Sequence, residues 1–100
     1  LKIMDKLNLK RKDQIKGIKE ICTYLQSFDF INLKPFVLYS NVYFLIELAH
    51  SAKLNFSMGS PLFEIQHTLN KELEFSLEDN RNPYPIQAIQ HQCQKLLDTL

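Results

Sequence analysis

Apolar residues recur at intervals of three and four along separate stretches of this chain, the spacing of helices that bury one face. Between Asp13 and Phe28, the residues Ile15, Ile18, Cys22 and Leu25 fall on one arc, with Ile21 and Phe28 beside them. Asp13 stands where an N-cap belongs: its carboxylate can accept from the first free amides and suits the positive end of the helix dipole. Upstream, Ile3, Met4 and Leu7 share a face within Leu1–Leu9, which offers a short additional helix. Asp29–Lys34 reads as a connection. Pro35 punctuates it, because proline fixes its own φ and drives the preceding residue out of the helical region.

From Phe36 to Leu54 apolar residues become dense. Leu38, Val42, Leu45, Ile46 and Ala49 keep helical spacing, and Phe36, Tyr39, Tyr43 and Phe44 widen the apolar face. The pattern predicts a helix buried on most sides, in the middle of the domain. A strand over Phe36–Ile46 is the competing reading, since Val and aromatic residues suit a pleated surface. The length of the run and its continuation through Glu47-Leu48-Ala49 favour the helix.

Asn55–Gly59 reads as a loop. Ser60-Pro61 is a helix-start signal, with Ser60 as cap and Pro61 in the first helical position. Leu62, Ile65, Leu69 and Leu73 follow at intervals of three, four and four, predicting a helix that ends near Phe75. Ser76–Tyr84, acidic and interrupted by Pro83, reads as an exposed loop. Pro85 opens the last helix, whose apolar positions are Ile86, Ile89, Cys93, Leu96 and Leu100. Their alternation of three and four resembles a coiled-coil seam, yet it covers only about two heptads, short of the roughly three needed for that assignment. The expected fold is all-α: a compact bundle of four to five helices with mostly antiparallel neighbours, in a single domain spanning residues 1–100.

Composition supports this picture. Apolar residues make up 45% of the chain and charged residues 23%, which suits a globular core and argues against disorder. Gly17 and Gly59 are the only glycines, too few for folds built on Gly-rich turns or for Gly-rich phosphate loops. The longest apolar run is far below the roughly 18 residues of a membrane span. Cys22 and Cys93 are few and far apart for a secreted disulfide scaffold, so we expect reduced thiols in an intracellular compartment, cytoplasm or nucleus. Sequence alone leaves open a bond between them. Asn55-Phe56-Ser57 fits a glycosylation acceptor pattern, but such matches arise often by chance and no signal peptide accompanies it. The first residue, Leu1, and a helical pattern running out at Leu100 suggest a domain of a larger protein.

Candidate chemistry is sparse. No strained-turn nucleophile motif, dinucleotide fingerprint or phosphate loop is present, so no cofactor is expected and catalysis is not favoured. Glu72 and Glu74 project from different sides of a helix, and nothing makes them share a proton. His91 and Cys93, two apart on a helix, point in different directions, and no pair of metal-spaced ligands occurs with His50, His67 or Cys22.

Two surfaces remain for a partner. One is the basic set Lys10, Arg11, Lys12, Lys16 and Lys19, in which Lys12, Lys16 and Lys19 should form an exposed stripe beside the apolar arc. The other is the seam of Ile86, Ile89, Leu96 and Leu100. Glu72, Glu74, Glu78 and Asp79 form an acidic counterpart in the second half, and surplus aromatic residues could add an apolar patch. The leading expectation is a non-catalytic protein–protein interaction module that binds another protein or a second copy of itself. The alternatives are a nucleic-acid-binding or regulatory module using the basic residues, and a helical subdomain of an enzyme.

Overall fold

Helical spacing is realised as four helices in the computed structural model, which describes residues 10–27, 35–70 and 84–100. They are α1 (Arg11–Gln26), α2 (Pro35–Ser51), α3 (Pro61–Thr68) and α4 (Tyr84–Thr99). No strand occurs among the described residues, so Phe36–Ile46 is helix, and the all-α bundle is the fold. The segment 1–9, the connection 28–34 and residues 71–83, with the expected helix end near Phe75, lie outside the described residues.

The stripes expected to be buried form the core. Ile18, Cys22 and Leu25 of α1 meet Leu38, Val42, Leu45, Ile46 and Ala49 of α2, with Leu62 and Ile65 of α3 and Ile86, Ile89, Cys93 and Leu96 of α4. The helix that joins the others is α4, which packs against both α1 and α3; α2 packs on α1 and touches α3 more lightly. The expectation that α2 is buried on most sides is therefore corrected. Tyr39 is 37% exposed and Tyr43 52% exposed, so the aromatic widening of α2 reaches solvent. Ile86, Ile89 and Leu96 of the seam are buried against neighbouring helices of the same chain.

Three helix ends have specific physical explanations. The first helix starts two residues before the expected Asp13 cap. Lys10 is the N-cap, without a side-chain cap bond, and its carbonyl accepts from the amides of Asp13 and Gln14. Asp13 lies instead inside the first turn, where its charge still faces the dipole. Tertiary bonds fix this earlier start. Arg11 Nε donates to the Ala52 carbonyl at 3.1 Å, and buried Gln14 donates through Nε2 to Ser51 Oγ at 2.9 Å. The first turn of α1 is thus fastened to the last turn of α2.

At the end of α2, Lys53 takes a left-handed conformation with φ 58°. Its amide donates to the His50 carbonyl, and the Leu54 amide donates to the Ala49 carbonyl. That is a Schellman closure, and it ends the helix at Ser51 rather than at the expected Leu54. Leu54 folds back onto the core, as the residue after such a closure often does. Helix α3 starts as the sequence indicates: Ser60 Oγ accepts from the Phe63 amide at 3.2 Å, and Pro61 occupies the first turn. It widens into a π-type turn at residues 69–70.

Glycine is the residue that adopts a left-handed φ without steric conflict, whereas an L side chain there costs about 1–2 kcal/mol. Exposed Lys53 has this conflict. Lys53→Gly should raise folding stability by about 1 kcal/mol, after the extra backbone entropy of glycine is set against the relief. Urea unfolding followed by circular dichroism measures it; an unchanged or lower midpoint would contradict the closure.

Candidate interaction surface

Around the axis of α1, residues sort into three stripes, and each meets a different environment. The first is the core stripe of Ile18, Cys22 and Leu25. Gly17, Ile21 and Tyr24 form the second, turned toward α2. The third holds Lys12, Lys16 and Lys19, all exposed, at the four- and three-residue spacing that stacks them along one side.

Where the second stripe meets α2 there is an open cleft of about 260 Å³, lined by Gly17, Glu20, Ile21 and Tyr24 from α1 and by Asn41, Phe44 and Leu48 from α2. A Cβ on Gly17 would lie 3.2 Å from Leu48 Cδ2, so the two helices approach each other closely at the floor. Tyr24 stands at the edge, 48% exposed. Asn41 donates through Nδ2 to the Val37 carbonyl, keeping its side chain along its own helix. A shallower depression over Lys16, Lys19, Glu20, Thr23 and Tyr24 shares Glu20 and Tyr24 with the cleft. Cations, aromatic edge and apolar floor therefore form one continuous surface. Ligand and cofactor pockets usually enclose about 300–1,000 Å³. This cleft is smaller and suits one or two inserted side chains.

The basic residues expected to contact a partner are placed as follows. Lys10, Lys12, Lys16 and Lys19 are exposed. Arg11 is exposed too, but its guanidinium is engaged at Ala52. Of the apolar seam, Ile86 and Ile89 are buried in the core, and Leu100 lies at a surface feature beside the largely buried Leu96. Leu100 is partly buried and lines a second cleft of about 290 Å³ with Leu54, Asn55, Ser60, Pro61, Leu62, Leu96 and Thr99. The acidic residues Glu72, Glu74, Glu78 and Asp79 lie outside the described residues. Tyr39 and Tyr43 stack one turn apart with centroids 6.4 Å from each other. Their spacing places them on a different side of α2 from Asn41, Phe44 and Leu48.

Sequence reading passed over the cleft. Ile21 reads there as a neighbour of the main arc, and Tyr24 carries no motif. The available signal is the second run Gly17, Ile21, Tyr24, which repeats the helical spacing on its own side of α1.

Cys22 and Cys93 are both free and fully buried, and they lie together at the α1–α4 junction. Hydrogen bonding with the Cys22 thiol, followed by burial, pushes the Cys93 thiol far above its ordinary range. The thiolate is the reactive form, so this pair is packing material rather than a nucleophile. His91 is exposed on α4 while Cys93 points inward. Among the described residues no group of three His, Cys, Asp or Glu could hold a metal ion, and no helix is long and apolar enough to cross a membrane. No family model, no curated protein and no solved structure matches this chain.

The thiol packing has a direct readout. Under native conditions a thiol reagent should label neither cysteine at a rate above that of global unfolding, and both should label quickly in denaturant. Fast native labelling of Cys22 or Cys93, followed by mass spectrometry, would contradict the packed junction.

Proposed function

We propose that this domain is a non-catalytic protein-interaction module of an intracellular protein, and that it holds its partner on the α1–α2 face. The observation that carries the reading is the open apolar cleft over Ile21, Phe44 and Leu48, edged by exposed Tyr24. Apolar side chains of a partner helix or segment can insert there, and aromatic residues beside such a pocket commonly supply much of the binding energy. Ile86, Ile89 and Leu96 take no part, because they are spent on the core.

Lys10, Lys12, Lys16 and Lys19 support a second reading, a nucleic-acid-binding or regulatory surface, since all four are exposed along one segment. Binding of that kind would weaken steeply with salt and would not involve the cleft.

Selection of short displayed peptides on the immobilised domain tests the first reading. The retained peptides should shift the amide signals of residues 17–24 and 41–48. Tyr24→Ala should weaken them at least tenfold, and Lys95→Ala on the exposed side of α4 should leave them unchanged. If no peptide is retained, or if all map elsewhere, the assignment of this face fails.

A further inference from the structure

We infer that the segment docking in the α1–α2 cleft is an acidic amphipathic helix, with apolar anchors in the cleft and carboxylates over Lys12, Lys16 and Lys19. This rests on the reading of that face as protein-binding and adds the chemistry of what it binds.

The charge distribution is the first argument. Residues 10–27 carry five cations and two carboxylates, Asp13 and Glu20, whereas the whole chain carries a net charge of only +1. The positive potential is thus local to α1. Lys12, Lys16 and Lys19 are all exposed on one side of α1. Lys16 and Lys19 border the cleft on one side, since they share a depression with its lining residues Glu20 and Tyr24, and Lys12 continues their stripe one turn earlier on α1.

Register is the second argument. Lys12 to Lys19 and Gly17 to Tyr24 each span seven residues, about 10 Å at the rise of an α-helix. A partner helix lying along α1 presents apolar side chains at positions i, i+4 and i+7 on one stripe, and an adjacent stripe one position over. Acidic residues on that adjacent stripe meet the lysines while the anchors enter the cleft.

Glu20 separates a peptide from a nucleic acid. It lies between the lysines and the apolar floor, lining both depressions. A polyphosphate chain crossing from the lysines to the aromatic edge passes this carboxylate, and like charges at close range disfavour it. A peptide can place a neutral or basic residue at that point. Arg11, the cation best suited to a bidentate phosphate contact, is committed to Ala52.

The test is selection from a helix-forming peptide library with fixed apolar anchors and randomised flanking positions. Peptides that bind at residues 17–24 and 41–48 should be enriched in Asp and Glu on one flank. A Lys16→Glu, Lys19→Glu double variant should weaken them about tenfold and should instead favour the same peptides with Lys on that flank. Both lysines are exposed, so the variant is expected to keep the helical circular dichroism spectrum. Cleft-binding peptides with no acidic bias, or with no response to the double variant, overturn the acidic partner while leaving the interaction face intact. Failure of any peptide to bind the cleft overturns both. Retention of a single-stranded oligothymidine through the lysines at physiological salt, with the cleft amides undisturbed, overturns the inference in favour of a nucleic-acid surface.

Discussion

The rotation of α1 about its own axis is fixed by what lies behind it. Ile18, Cys22 and Leu25 are withdrawn from water by packing on α2 and α4, and with one stripe pinned the other two have no freedom of direction. The second stripe must then look toward α2 and the lysines must look outward. Polar bonds across the junctions add direction to the apolar packing. Gln90 donates to the Leu25 carbonyl at 3.0 Å, and Gln26 donates to Gln94 at 2.8 Å, both between α1 and α4. At the other end Arg11 and Gln14 hold α1 to the close of α2. A helix so fastened presents its outer surface as a rigid edge, which lowers the ordering cost of binding.

What could be read from the sequence was whatever depends on neighbours along the chain. The start of α3 was legible because Ser60-Pro61 supplies both the cap oxygen and the preset φ. The buried stripe of α4 was legible because Ile86, Ile89, Cys93 and Leu96 repeat without a break. The start of α1 and the end of α2 were misplaced for two different physical reasons. At α1, tertiary bonds from Arg11 and Gln14 outweigh the capping preference of Asp13. At α2, the left-handed residue that closes the helix is Lys53, where pattern reasoning looks for glycine.

The candidate surface was half legible. Exposure of Lys12, Lys16 and Lys19 follows from their spacing alone. The cleft does not, since it depends on how near two helices come, and that distance is set by side chains far apart in the chain. Periodicity likewise says that Ile86, Ile89 and Leu96 need burial without saying against what; the bundle supplies the answer from inside the same molecule. Cys22 and Cys93 show the same limit. Their apolar settings were visible, while their meeting across α1 and α4 required the packed structure.

Gly17 sits in the interior of a sixteen-residue helix, where glycine lowers intrinsic helicity by about 1 kcal/mol relative to alanine. Its bare backbone lets Leu48 come within the reach of a would-be methyl group. Local helical strength is given up at this one turn, and proximity between two helices is obtained in return. The depth of the hollow above it is consequently governed by an atom that the chain does not have, and a single added carbon there would alter the shape offered to any visitor more than most changes of charge around its rim.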